Sequence, residues 1–273
     1  MKYRIPILMY HQVSHVPDPK YRDYTVTTQT FSTHMKILRS LRYVPITFST
    51  LMDYKEGTTD LPHKPIIITF DDAMQDVMDN AVSILRNSGF TAVFYIPTNY
   101  VGRKSSWMVP EVGVEFPVAD WTAIRSLEAM GFEVGAHTMS HPRLSKISEK
   151  DCYEELYGSR HKLEVMLGRE VKHLAYPFGD YNERVKMIVR ETGYDTACTT
   201  EKGTATTIND MLALPRWNMG MDETVLSFLS KISSERSPIG LLTKNLQFII
   251  GKLPKPVKKI IKDVVRKKNN KNV

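Results

Sequence analysis

Two cysteines are all that 273 residues hold, Cys152 and Cys198, and they stand too far apart to form a disulfide framework. A reduced compartment is the plainer setting for them. No stretch reaches the ~18 consecutive apolar residues of a membrane span. The one early apolar run, Ile5 to Tyr10, is interrupted by Pro6 and closed by His11, which is not the pattern of a secretory leader. The expectation is a cytoplasmic protein. Neither a G-x-G-x-x-G nor a P-loop is present, so a nucleotide-binding fold has no support. Net charge is small in the body as well. Residues 252–273 hold nine Lys or Arg against Asp263, a net of +8, which leaves the remainder of a +7 chain at −1. The basicity belongs to a tail.

A hydrophobic content of 42% over this length suffices for one α/β domain with a full core. A recurring junction organises it, in which an amphipathic helix ends in Gly, an aromatic residue follows, and an apolar strand comes next. Gly89-Phe90 leads to a strand at 92–96, Gly131-Phe132 to 133–136, and Gly193-Tyr194 to 195–199. Glycine just past a helix takes the left-handed conformation that stops it, and the aromatic can seal the joint between helix and sheet. Val77, Met78, Ala81, Ile84 and Leu85 give the first of these helices a 3.6-residue period. Asp120 and Ser148 are natural N-caps, with Asp151 at capping-box spacing from Ser148. Further strands are expected at 5–10, 43–46, 66–70, 173–176 and 213–216. Alternating strands and helices give a parallel sheet. A barrel is expected over an open sheet, because the candidate site residues follow successive strands, and a barrel gathers those ends at one mouth. Residues 98–118, with Trp107 and breaks at Gly102, Pro110 and Gly113, read as a long loop of the kind that serves as lid or binding element.

The chemistry lies in two short segments. His137-Thr138-Met139-Ser140-His141 carries two imidazoles four residues apart, and Thr69-Phe70-Asp71-Asp72 ends the apolar run that starts at Ile66. Two histidines and one carboxylate can make a facial metal site, with a second carboxylate free as a base. Adjacent residues on an extended segment point to opposite sides, so Asp71 and Asp72 can divide these roles. A bland alternative exists for Asp72, as N-cap of a helix starting near Ala73, and for the histidines as a satisfied surface or core pair.

These residues resemble the first two motifs, T-F-D-D and H-[ST]-x-x-H, of the polysaccharide deacetylases with a NodB homology domain (carbohydrate esterase family 4). Ala175-Tyr176-Pro177-Phe178-Gly179 resembles the third, R-x-P-[YF]-G, and Pro6-Ile7-Leu8-Met9-Tyr10-His11 resembles the opening of a branch that includes poly-N-acetylglucosamine deacetylases. The resemblance implies a distorted parallel (β/α)7 barrel of the NodB type, expected over residues 1–236. It implies a divalent metal, zinc first among candidates, on Asp72, His137 and His141, with Asp71 as catalytic base. Oxyanion and substrate contacts are expected from Tyr176 and from the backbone N–H of the Pro177-Phe178-Gly179 turn. Most of the family takes its acid histidine from an L-x-H motif near the C-terminus, but no histidine follows residue 200. His11, just after the first strand, is the candidate acid, as in the related branch; a plain loop residue is the alternative. The third motif also departs, with Ala175 where an Arg orients the base. Arg216, in Leu214-Pro215-Arg216-Trp217, can supply that guanidinium from another strand end, or can serve only in a salt bridge at the edge of the core.

The function expected is metal-dependent N-deacetylation of an N-acetylated sugar in a polysaccharide or glycolipid. The alternatives are hydrolysis of another amide or ester, or sugar binding without turnover. In residues 237–273, Val257, Ile260, Ile261, Val264 and Val265 form the stripe of a basic amphipathic helix. That helix either packs on the barrel or rests on an anionic membrane, which would put the protein at the inner membrane face. Nucleic acid is a poorer partner, since no aromatic or Gly-rich recognition element accompanies the charge.

Overall fold

The computed structural model describes residues 3–233 and 255–260. Seven strands form a closed parallel ring: β1 (Ile7–Tyr10), β2 (Pro65–Phe70), β3 (Val93–Ile96), β4 (Glu133–Ala136), β5 (His173–Ala175), β6 (Thr196–Lys202) and β7 (Leu214–Asn218). Each pairs with the next in chain order, and β7 pairs back onto β1 through Trp217 opposite Leu8. The expected barrel is present, of the (β/α)7 type. Two expected strands differ from their prediction. Pro6 splits the first, so Arg4–Ile5 leaves the ring and pairs antiparallel with Ala205–Thr206. Of 43–46, Val44–Pro45 pairs in parallel with the start of β2, at Pro65 and Ile66, as an added strand of the sheet and not one of the closed seven.

Period-2 alternation divides the core in two. Ile67, Val93 and Tyr95 belong to the small cluster inside the barrel, with Ile7, Ala175, Cys198 and Leu214. Ile66, Ile68, Phe70, Phe94 and Ile96 face outward into the larger cluster beneath the helices. At Gly135 the interior has no room for a side chain, since a Cβ would sit 2.6 Å from the Tyr95 ring and 2.8 Å from the His173 carbonyl oxygen. By the same alternation, Thr69 and Asp71 continue the inward row of Ile67.

The helix-stop junctions fold as their sequence dictates. Gly89, Gly131 and Gly193 all have positive φ, and Phe90, Phe132 and Tyr194 are buried in the outer cluster. The helix α1 (Gln75–Ser88) buries Val77, Ala81 and Leu85, with Met78 and Ile84 at its margin. Asp120 caps the Ala123 N–H at 2.8 Å, and Ser148 caps Asp151 at 3.1 Å at the start of α2 (Glu149–Leu167). Residues 98–118 fold back on themselves through bonds such as Ser105 N–H to Phe116 O and Val118 N–H to Arg103 O, with a helical turn at Val109–Val112.

No helix among the described residues is long and apolar enough to cross a membrane. Most of the tail helix expected in 237–273 lies outside the described residues. Within 255–260 the backbone is helical, Val257 is fully buried, and Ile260 packs against the outer core cluster. These two members of the apolar stripe are turned inward, as in a helix docked on protein.

Candidate active site

Both aspartates follow β2 directly. Asp71 extends the sheet ladder by donating its N–H to Tyr10 O at 2.9 Å. The chain then turns sharply, with Asp72 at φ 70° and Ala73 at φ 50°. Helix α1 starts only at Gln75, with Met74 at its N-cap position and no side-chain cap, so Asp72 is not the helix cap. His137 follows β4 in the same way, and Thr138 and His141 take φ of 61° and 60°. Asp72, Ala73, Thr138, His141 and Phe178 are five of the six non-glycine residues with positive φ among those described. Left-handed backbone costs energy in such residues and persists where surrounding structure over-determines it, commonly at functional sites.

These turns bring one oxygen of Asp72 and one nitrogen each of His137 and His141 within 4.8 Å of one another, all buried. Both Nε2 atoms lie 3.4 Å from Asp72 Oδ1. The Nδ1 of His137 bonds the Ala175 carbonyl at 2.7 Å, which makes it the protonated nitrogen and turns the Nε2 lone pair inward. Asp72 Oδ1 is buried without a hydrogen-bond partner among the described residues, a cost that a cation would relieve. Two imidazoles and a carboxylate, converging on an orphaned oxygen, fit a divalent transition metal. Burial opposes ionisation of Asp72, but hydrogen bonds from the two imidazoles, when these carry a proton on Nε2, outweigh it and hold its pKa well below the usual carboxylate range. The Tyr21 hydroxyl lies 3.3 Å from the other oxygen, Oδ2.

Asp71 points into the barrel and meets Arg216 from β7, whose Nη1 and Nη2 lie 2.7 Å from Oδ1 and Oδ2. Arg216 also donates to Thr69 Oγ1 and to Thr199 O. Burial works against the charge on both partners; each overcomes it for the other, lowering the Asp71 pKa and raising that of Arg216. His11 Nε2 lies 3.9 Å from Asp71 Oδ2. Burial draws the His11 pKa below the ordinary imidazole value, with Asp71 and Asp72 pulling the other way.

In the third motif, Phe178 is left-handed (φ 58°) and its ring meets His141 edge-on at 4.6 Å. Tyr176 is a correction to the expected substrate contacts. Its ring is fully buried against Tyr181 and its hydroxyl is donated to Leu212 O, so the side chain is turned into the core. Arg216 reaches Asp71 from β7, the first of its two expected roles, and is fully buried there. Trp107, from the 98–118 loop, stacks over His141 at 5.0 Å and 28°.

Sequence reasoning missed Tyr21 and Glu155. Glu155, on α2, accepts the Met139 and Ser140 N–H groups at 2.7 and 2.8 Å. Neither residue sits in a motif; contacts across 51 and about 15 positions leave no local signal.

The sequence profile of the family described as "Polysaccharide deacetylase" matches residues 58–197. The chain is similar to the poly-beta-1,6-N-acetyl-D-glucosamine N-deacetylase of Staphylococcus aureus, 24% identical over 207 residues that cover 71% of this chain and 68% of the relative. Among solved structures, a polysaccharide deacetylase from Bacillus cereus gives a TM-score of 0.72 at 29% identity, over 85% of this chain and 70% of that one. The Streptococcus pyogenes deacetylase PplD, solved in complex with acetate, shares the fold, with a TM-score of 0.72 at 24% identity over 85% of this chain and all of that one. The profile match includes Asp71, Asp72, His137, His141 and Phe178, whereas His11, Tyr21 and Arg216 reach the site from outside it.

Proposed function

Because the chain belongs to the polysaccharide deacetylases, a family of hydrolases, we propose that it is a metal-dependent N-deacetylase. It would remove acetyl groups from an N-acetylated sugar in a polysaccharide or glycolipid and release acetate. The observation that carries the reading is the convergence of Asp72, His137 and His141 beside a second carboxylate, Asp71, that keeps its own partner. Those three would hold a divalent cation, zinc being the best fit to two imidazoles and a carboxylate, which would supply Lewis acidity toward the acetamide carbonyl and the attacking water.

The chain's residues do the rest. Asp71, ionised and fixed by Arg216, takes a proton from the attacking water. The Phe178 N–H is a donor for the developing oxyanion, since the short turn Pro177–Gly179 bonds the next two N–H groups, Gly179 to Tyr176 O and Asp180 to Pro177 O, and leaves this one in its first turn. An amide anion is a very poor leaving group, so the departing nitrogen needs a proton. His11, across from Asp71, supplies it; a lowered pKa makes its imidazolium the stronger acid. The poly-N-acetylglucosamine deacetylases among the relatives make a β-linked N-acetylglucosamine polymer the first substrate to try.

Acetate release measured across a panel of N-acetylated oligosaccharides, with added zinc and with chelator, tests this. Zinc-dependent acetate from at least one glycan is expected. Metal-loaded protein that releases none from any of them would return the chain to a binding role.

A further inference from the structure

The metal-site reading above leaves unexplained how five residues with two left-handed turns hold two imidazoles in one place. The segment His137–His141 is not part of a helix or strand, and the strain at Thr138 and His141 has to be offset. Within the segment, the His141 N–H bonds Thr138 Oγ1 at 3.1 Å. Across from it, one carboxylate oxygen of Glu155 accepts both the Met139 and the Ser140 N–H, and its other oxygen accepts the Ser140 hydroxyl. Three donors on one carboxylate are charge-assisted bonds, about twice as strong as neutral ones.

A second observation points to the same contact. Gly158 lies in the interior of α2, where glycine costs about 1 kcal/mol relative to alanine. A Cβ there would sit 2.5 Å from Met139 Sδ. The missing side chain leaves room for the Met139 thioether against α2, one turn on from Glu155. Glu155 and Gly158 thus meet the two residues, Met139 and Ser140, that separate the left-handed turns of the histidine segment.

We propose that Glu155 is the positioning residue of the metal site, fixing the His137–His141 loop so that both Nε2 atoms converge on Asp72. The inference depends on the metal-site reading, and its consequence is metal affinity, not chemistry, because Glu155 bonds none of Asp71, His11 or Arg216.

The test is zinc affinity, by competition with a chromogenic chelator, for the wild type and for Glu155→Ala, Glu155→Gln and Glu155→Asp. Groups that orient metal ligands typically contribute 10–100-fold in affinity. Glu155→Ala is expected to weaken zinc binding by ~10–100-fold, with kcat recovered at saturating zinc. Glu155→Gln, which keeps an acceptor for the two N–H groups, should recover most of the affinity. Glu155→Asp, which keeps the charge but shortens its reach to the loop, should weaken it too and carries the test if Glu155→Ala does not fold. A wild type that binds no zinc sinks the metal reading itself. A wild type that binds zinc, with Glu155→Ala binding equally well, overturns this inference alone. So does a Glu155→Asp variant that binds as the wild type does, because charge and not contact with the loop would then be responsible.

Discussion

Arg216 and Asp71 face each other through two parallel hydrogen bonds of 2.7 Å, a planar fork on a planar carboxylate, both side chains buried. The guanidinium comes from β7, and the place at the end of β5 where the family pattern has its arginine is taken by Ala175, itself inside the barrel. The same charge thus meets the same carboxylate from a different strand. Removing one partner of a buried pair leaves an uncompensated charge and costs about 3–5 kcal/mol. Arg216→Ala is expected to lose stability on that scale in denaturant titrations and to lose turnover with it. Arg216→Lys cannot make the fork, and should fold better than Arg216→Ala while remaining slow. Full activity in Arg216→Ala would remove Arg216 from any part in positioning Asp71.

Asp71→Asn separates the two aspartates. Asp71 faces Arg216 and His11, whereas Asp72 faces the two ligand-type imidazoles. The variant is therefore expected to bind zinc as the wild type does and to release no acetate, with a stability loss because Arg216 is left facing an amide. Isothermal titration with zinc, alongside the acetate assay, reads both. Loss of zinc binding would mean that the two carboxylates have their roles exchanged.

The barrel was legible because each helix stop and strand is written locally, in Gly89-Phe90, Gly131-Phe132 and Gly193-Tyr194. Strand alternation also places Asp71 on the inward row of Ile67 and Thr69. Parts that depend on long-range contact were not legible. Nothing near Tyr176 in sequence says that its hydroxyl will find Leu212 O and turn the ring inward. Nothing in α2 marks Glu155, since a glutamate on an amphipathic helix reads as a solvated charge. The left-handed turns at Asp72, Thr138, His141 and Phe178 are also invisible in residue type, because glycine, the usual signal for them, is absent at all four.

His11 is separable from the metal by choice of leaving group. Its Nε2 lies 3.9 Å from Asp71 Oδ2, and its nearest aromatic neighbour is Tyr24, edge-on at 4.9 Å. His11→Ala should leave zinc affinity unchanged and lower kcat on an N-acetyl sugar by ~10²–10⁴-fold, the range of general acid–base contributions. An activated acetate ester, whose leaving group departs without a proton, should lose far less. Equal losses on the two substrates would assign His11 a structural role.

His34 makes a prediction about pH that does not involve the active site. It is buried on the helix Thr28–Ser40, stacked on Phe228 at 3.9 Å and 1°, with Nδ1 bonded to the Tyr10 hydroxyl at 2.9 Å. Burial, helped by nearby Lys231, depresses its pKa to about 3, against about 6.5 in the unfolded chain. The folded state therefore takes up this proton less readily. Its contribution to stability is fully present above pH 6.5 and is lost as pH falls toward 3. Between pH 8 and pH 4.5 the loss amounts to roughly 2–3 kcal/mol, at 1.36 kcal/mol per unit. Asp76 works in the opposite sense, because burial raises its pKa to about 7 and protonation then favours the folded state as pH falls. The wild-type profile is the sum of such contributions, so the informative quantity is the difference between His34→Gln and wild type at each pH. Urea titrations should show His34→Gln less stable at pH 8, where it loses the packing on Phe228, with the gap narrowing by about 2–3 kcal/mol at pH 4.5. A gap that is constant across that range would mean that His34 does not carry this pH dependence.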